Sequence, residues 1–465
     1  MRLSTAAVAA LLLLLCARAP AQEKHVLEKP ALTGQAVDEQ VVEKNALEKK
    51  TPAKQTLEAQ ATGRTVLTLD DAMARVGDAY PDLRLISARR DVAAIELERA
   101  ALRPAITLAA DLENVLGTGE ASGLSGAELT LSLASVLERG GKLDARRAVA
   151  QARIDAFAME REAKRLDLLA EVARRYLAVV AAQRQRGIAE QDIVQRRRTV
   201  AGARHRLQAG ASPESVMLTA QAALARAELD KARAVQRFSS ARQHLAALWG
   251  ERSPAFDVVA GDPSTLPGVA PFAELAALLE RTPELQQFAG EQRIREARLQ
   301  LARSDAVTDV DWQFGVRRLQ SDGDFGLVAG ISIPLGNRQR AQPAIRAAQA
   351  ELATLEIERE SRGLSLYSTL VDAHGRFLTA QVEVERLRTD VLPKLLKAER
   401  AAERAYRAGA ISYLEWAQLQ AETTNARRQQ LEAALDAQRA LIEIQRLTGE
   451  SFVTAPLSAA QGEIR

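Results

Sequence analysis

Apolar residues recur every three or four positions from Leu69 to Arg103, through Leu83, Ile86, Val92, Ile95, Leu97 and Leu102, and Pro104 closes the run. That spacing predicts an amphipathic helix. The period then drops to two. Ile106, Leu108, Ala110 and Leu112 alternate with Thr107, Ala109, Asp111 and Glu113. After a Gly/Ser-rich stretch from Gly117 to Gly126, Ala127, Leu129, Leu131 and Leu133 alternate with Glu128, Thr130 and Ser132. The alternation predicts two strands, about 105–116 and 127–137, joined by a loop. Gly140-Gly141 ends the second strand, and Lys142 to Gln208 contains no proline. A continuous helix of that length would measure about 100 Å. Gly210-Ala211-Ser212-Pro213 predicts a turn and a new helix start, with Ser212 as cap and Pro213 first in the helix. That helix returns to Trp249-Gly250.

The second half follows the same plan. Helical spacing runs from Phe272 to Arg303. A strand at about 309–319 sets Val310, Trp312, Phe314 and Val316 opposite Asp311, Gln313, Gly315 and Arg317. A second at about 325–335 carries Phe325, Leu327, Ala329, Ile331, Ile333 and Leu335. A long helix follows from Gln339 to Ala408, with a break expected near Pro393. After Gly409 a last helix runs from Ser412 to Thr448.

The halves are copies. Tyr80-Pro81-Asp82-Leu83 returns 202 residues later as Thr282-Pro283-Glu284-Leu285. Ala150-Gln151-Ala152 and Asp192-Ile193-Val194 return 198 residues later, as Ala348-Gln349-Ala350 and Asp390-Val391-Leu392. Gln208-Ala209-Gly210-Ala211 and Leu248-Trp249-Gly250 return 199 residues later, as Arg407-Ala408-Gly409-Ala410 and Leu447-Thr448-Gly449. A period this long marks a duplicated unit rather than a short solenoid repeat. The organisation read from the chain is a signal peptide at 1–21, a polar leader at 22–65, a first repeat at 66–250, a linker at 251–270, a second repeat at 271–450 and a tail at 451–465. The leader lacks apolar periodicity and reads as solvated and disordered; a strap along the folded body is the alternative.

Composition agrees with long helices. Aromatics make up 4% and charged residues 26%, while Ala and Leu dominate the apolar set, as in closely packed helices. Narrow stripes such as Leu166, Leu169, Val172, Tyr176 and Val179 suit coiled-coil pairs or a side-by-side wall. A net charge of +3 gives no sign of a nucleic-acid partner. Arg2, the apolar run Ala6–Leu15 and Ala19-Pro20-Ala21 form a secretory signal. Its cleavage would remove Cys16, the only cysteine, and bulky Leu15 before it argues against lipidation there. No later segment has the roughly 20 apolar residues of a membrane helix, so any crossing would be made by strands. The four strands have the length and alternation of outer-membrane strands, and Trp312, Phe314 and Phe325 suit an interfacial belt. Four strands enclose no useful lumen; three chains would supply twelve. The alternative is a soluble sheet with its apolar face on the helices, in a periplasmic helical adaptor or scaffold.

The candidate chemistry is sparse. His25, His205, His244 and His374 lack metal-ligand spacing, and no Gly-rich phosphate loop follows a strand. The chain reads as no enzyme, with no cofactor and no metal site.

The duplication, the turn Tyr406-Arg407-Ala408-Gly409 followed by Ile411-Ser412 and Glu415, and Asp390-Val391-Leu392-Pro393 together resemble the TolC family of outer-membrane channel proteins, from about Leu67 to Gly449. Leu137-Glu138-Arg139-Gly140-Gly141-Lys142 is similar to a strand-exit motif of that family's heavy-metal, cobalt–zinc–cadmium branch. The resemblance implies a mostly α fold with a membrane β-barrel portion: a duplicated helical barrel, and a homotrimer with a twelve-stranded barrel in outer-membrane lipid. It implies a gated export duct docked on a periplasmic adaptor and an inner-membrane resistance-nodulation-division pump. Divalent heavy-metal cations are the expected cargo, with drug efflux or type I secretion as the alternative. The periplasmic tips, where docking or gating would occur, would hold Gly210, Ser212, Glu214, Gly409, Ser412 and Glu415. Glu415 occupies a place where the family often has an acid. The first turn departs, with Val216 there and Glu214 two residues earlier, so both acids read as helix-start residues.

Overall fold

Local chemistry sets where each helix begins. In the first repeat β1 (Val66–Leu67) leads to α1 (Leu69–Val76), α2 (Pro81–Ala100), β2 (Thr107–Glu113), β3 (Glu128–Leu137), α3 (Lys142–Gln208) and α4 (Glu214–Ala246). These belong to a computed structural model that describes residues 65–77, 80–119 and 122–452. The signal segment, the leader before Thr65 and the tail beyond Phe452 lie outside the described residues. After a short β4 (Val258–Val259) the second repeat reads α5 (Phe272–Leu279), α6 (Pro283–Ser304), β5 (Val310–Leu319), β6 (Phe325–Ser332), α7 (Asn337–Arg386), a π turn (Leu387–Val391), α8 (Leu392–Arg407) and α9 (Tyr413–Thr448).

Each run expected as one helix before a strand pair is two helices. Pro81 and Pro283 have no N–H to give to the preceding turn, so each opens a new helix instead of continuing one. The long helix of the first repeat is unbroken over 67 residues. Its counterpart is not ended by Pro393, which sits in the first turn of α8. The irregularity is the π turn just before it. The repeat offset widens from 198 to 199 residues across this stretch, and a π turn absorbs one extra residue without ending a helix.

The four long strands pair antiparallel in the order β2-β3-β5-β6. They are shorter than the alternation suggested: β2 stops before Asn114, at φ 54°, and β6 stops short of Pro334. Register puts Leu108, Leu133, Phe314 and Ala329 in one row across one face, and Asp111, Thr130 and Arg317 in a row across the other. The polarity is inverted relative to a soluble sheet. Leu131, Leu133, Phe314, Leu327 and Ile331 are exposed, whereas Thr130 and Ser132 are buried. On the covered face Gln313 Nε2 donates to Ser132 Oγ at 2.9 Å. Arg317 donates from Nε to Thr130 Oγ1 at 2.9 Å and from Nη1 to Glu128 Oε2 at 2.8 Å. The apolar face therefore does not lie on the helices, which removes the soluble-sheet alternative. Among the described residues, no helix is long and apolar enough to cross a membrane.

The helices repeat the strand order. Next to the sheet, α2 packs on α3, α3 on α6, and α6 on α7. Further along α3 the neighbours change: α4 packs on α3, α3 on α9, and α9 on α7 and α8. The changeover is marked by β1, which pairs in parallel with β4 from the inter-repeat linker. Gln183 treats β4 as a strand would, accepting from Val259 N at 3.1 Å and donating to Val259 O at 3.2 Å. The Tyr176 hydroxyl lies 3.0 Å from Leu67 O and 2.6 Å from Ala260 O. Val172, Tyr176 and Val179 bury their stripe here with Leu67, Phe238, Leu245 and Phe256.

Candidate functional site at the helix tips

Helix α3 carries one candidate feature at each end. Where it leaves β3, the motif Glu138-Arg139-Gly140-Gly141-Lys142 forms a joint between the repeats. Lys142 Nζ is buried and 2.6 Å from Asp309 Oδ2, immediately before β5. Asp309 Oδ1 also accepts from Arg139 N at 3.0 Å. Arg146 grips Glu138 through both terminal nitrogens. Gly140 has φ 76°, and a Cβ there would lie 2.6 Å from Val307 Cβ. Both the backbone conformation and the close approach of the second repeat exclude a side chain at this position. The motif thus ties strand to helix and one repeat to the other.

The other end of α3 is the tip. Both helical hairpins turn on a left-handed glycine, Gly210 at φ 70° and Gly409 at φ 78°. The closing hydrogen bonds match: Ala211 N to Arg206 O at 2.8 Å, and Ala410 N to Ala405 O at 2.9 Å. These paired bonds let each turn satisfy the last carbonyls of its helix. The two turns lie together, because one buried cluster holds them. Ala203 and Ala220 from the first hairpin meet Ala402, Tyr406, Tyr413 and Trp416 from the second. Tyr406 stacks on Trp416 with ring centroids 5.0 Å apart. Arg206 lies over the Tyr406 ring at 4.9 Å and donates to Tyr406 O at 2.9 Å.

The six predicted tip residues divide by role. Gly210 and Gly409 make the turns. Ser412 and Glu415 form a reciprocal cap: Glu415 N donates to Ser412 Oγ at 3.3 Å, and Ser412 N donates to Glu415 Oε2 at 2.8 Å. The Ser412 backbone N–H and hydroxyl hold the Glu415 carboxyl below the usual carboxylate range. Ser212 does not repeat this arrangement. Helix α4 starts at Glu214 with Pro213 as its cap residue and no side-chain cap, so the expected Ser212 cap is absent. Glu214 is exposed in the first turn. Val216, the counterpart of Glu415, packs on the aromatic cluster, which accounts for an apolar residue there. Arg206 and Trp416 were not expected as tip residues. The signal available was an aromatic at each side of the Gly409 turn in a chain poor in aromatics.

The caps give a paired prediction. Ser412→Ala should cost about 1 kcal/mol of local helix stability, read as roughly fivefold faster amide exchange in the first turn of α9. Ser212→Ala should leave exchange at the start of α4 unchanged, because no cap bond is lost. Equal responses would contradict the asymmetry of the two turns.

Duplicated long helices, a strand sheet with its apolar face outward and two open edges, and paired helical tips define a subunit of an outer-membrane channel. The chain belongs to the outer membrane efflux protein family, whose sequence profile matches residues 78–251 and 275–450. The cobalt-zinc-cadmium resistance protein CzcC of Cupriavidus metallidurans is 28% identical over 313 residues, covering 67% of this chain and 75% of the relative. The nickel and cobalt resistance protein CnrC of the same organism is 28% identical over 270 residues, 56% of this chain and 63% of the relative. Among solved structures, CusC superposes with a TM-score of 0.70 at 17% identity, covering 82% of this chain and 92% of that one. VceC of Vibrio cholerae gives 0.66 at 16% identity, covering 83% and 97%. The chain is an efflux channel protein of the outer membrane.

Proposed function

We propose that this channel exports divalent heavy-metal cations as a homotrimer, docked through its helix tips on a periplasmic adaptor and a proton-driven inner-membrane pump. The observation that carries the cargo is the charge on the polar sheet face. Asp111, Glu113, Glu128 and Asp311 share that face with Arg317 as its single cation in the four described strands. Arg317 is itself bridged to Glu128 and, at 3.1 Å, to Glu113. A lumen with excess carboxylate raises the local concentration of cations and holds them weakly enough to pass. The metals named for CzcC and CnrC point the same way. Among the described residues, no group of three or more His, Cys, Asp or Glu is placed to hold a metal ion. In this reading the metal is cargo that passes along the lumen.

Trimerisation is supported by what the chain leaves open. Among the described residues β2 and β6 each lack one neighbour, and an exposed edge in lipid leaves backbone groups unsatisfied. The helices beside those edges are apolar on their outer faces. Leu85, Val92, Ile95 and Leu102 are exposed in and just after α2, and Ile357, Leu364, Val371 and Leu378 form an exposed heptad row on α7. Three copies would close twelve strands and cover both rows. The tip turns Gly210–Glu214 and Gly409–Glu415 then form the docking end. Deleting the gene and challenging cells with zinc, cadmium, cobalt, copper and a drug panel tests the cargo. Lost metal tolerance is expected; intact metal tolerance with lost drug tolerance would overturn the metal assignment.

A further inference from the structure

The seam joining α8 to α3 and α9 is apolar at both ends and polar in the middle. On α8 the buried heptad positions are Leu392, Glu399 and Tyr406, so a carboxylic acid occupies a core layer one heptad from the aromatic tip cluster. Glu399 is only 8% exposed, and its Oε2 has no hydrogen-bond partner among the described residues. Its neighbours come from all three helices. From α9, Thr423 lies within hydrogen-bonding reach and Arg427 nearby; from α3 comes Arg196; from α8 itself, Glu403. Arg196 is already paired with Asp192 at 3.2 Å, and Asp192 also accepts from Thr424 at 3.2 Å. Arg427 donates to Gln191 at 3.0 Å. Glu403 is paired with Arg407 at 2.5 Å. Both nearby cations are thus engaged elsewhere. The Thr423 hydroxyl spends its own proton on Leu419 O at 2.9 Å, which leaves its oxygen as an acceptor. A carboxylate at Glu399 would face that oxygen without a proton between them, whereas a carboxylic acid has one to give.

We propose that Glu399 is a proton-operated clasp in this seam: protonated, it ties α8 to α9 through Thr423, and ionised, it loosens α8 from its neighbours next to the tip. Burial, the largest cause, pushes the Glu399 carboxyl above its ordinary value, as expected for a buried acid whose Oε2 is unpartnered among the described residues. The sign follows from linkage. The closed seam binds the proton more tightly than an opened seam in which Glu399 meets water. Closure is therefore strongest in acid and weakens as pH rises from the ordinary carboxylate range through the raised value, then levels off. The clasp does not depend on which cargo the channel carries.

The test is amide exchange of the full-length protein in lipid vesicles across pH 4–8, corrected for intrinsic rates, following α8 and the facing part of α9. In the wild type the opening constant should rise by up to about tenfold per pH unit within the titration window. Glu399→Gln, which keeps a donor toward Thr423, should remove that slope and hold the acid-like protection throughout. Glu403→Gln, a partly exposed acid on the same helix, should retain the wild-type slope. A wild type without pH dependence, a Glu399→Gln protein with the wild-type slope, or loss of the slope in Glu403→Gln instead would each overturn the clasp. Should Glu399→Gln fail to assemble, the wild-type and Glu403→Gln profiles still decide the outcome.

Discussion

Replacing Leu131 with arginine should abolish recovery of the protein from the outer membrane, while arginine in place of Asp111 should be tolerated. The two positions lie on adjacent strands: Leu131 pairs with Ala110, and Asp111 pairs with Thr130. They point to opposite faces. Leu131 is half exposed on the apolar face, between Ala110 on one side and Val316 on the other. If that face meets lipid, each arginine near mid-depth costs about 2–4 kcal/mol, and three copies in a closed barrel about three times as much. A loss of that size exceeds much of the margin by which a folded protein is stable. In a water-soluble sheet the same change would be neutral or helpful, since it would break an exposed apolar patch. Outer-membrane fractionation and heat-modifiable migration of the assembled protein read the result. Normal assembly of Leu131→Arg would refute the lipid-facing assignment, and equal damage from Asp111→Arg would show that face identity is not the cause.

The features legible in the sequence were those set by short-range chemistry. The alternation of Leu129, Leu131 and Leu133 with Thr130 and Ser132 marks β3, and the Gly210 and Gly409 turns mark the tips. Alternation alone does not say which face is covered. That needed the register, in which Arg317, Gln313, Thr130 and Ser132 cover one another and leave the leucines outside. Helix boundaries at Pro81 and Pro283 were written in the sequence but hidden, because apolar spacing continues across both prolines. The π turn was hidden for a related reason: it shows only as a one-residue change in repeat offset, and Pro393 draws attention two residues too far along the chain. At the tip, each turn is legible only by itself. Their union through Arg206, Tyr406 and Trp416 joins residues about 200 apart, and no local pattern encodes such a contact.

The joint at the opposite end of α3 shows the same limit, since the strand-exit motif was legible and its partner Asp309, 167 residues from Lys142, was not. Asp309→Ala should lower the stability of the folded protein by about 3 kcal/mol. Breaking a buried ion pair from one side costs about 3–5 kcal/mol, because the remaining charge stays desolvated. Lys142 is that remaining charge: its side chain is 9% exposed, against 26% for Asp309. The partial exposure of Asp309 places the cost at the low end of the range. Replacing both, as Lys142→Met with Asp309→Leu, removes the charge along with its partner and should recover most of the loss. Burial pushes the Asp309 carboxyl up, but the Lys142 ammonium and the Arg139 N–H outweigh it and hold it below its ordinary value. A depressed carboxylate stabilises the fold above the unfolded-state pKa, and that stabilisation is lost as pH falls through the folded-state value. Acid should therefore narrow the gap between wild type and Asp309→Ala. Denaturant unfolding of the purified protein at neutral and acidic pH measures all three outcomes. A double variant no better than the single one would mean that Lys142 is not the stranded charge, and the joint between the repeats would then rest on the Arg139 N–Asp309 bond and the close approach of Gly140 to Val307.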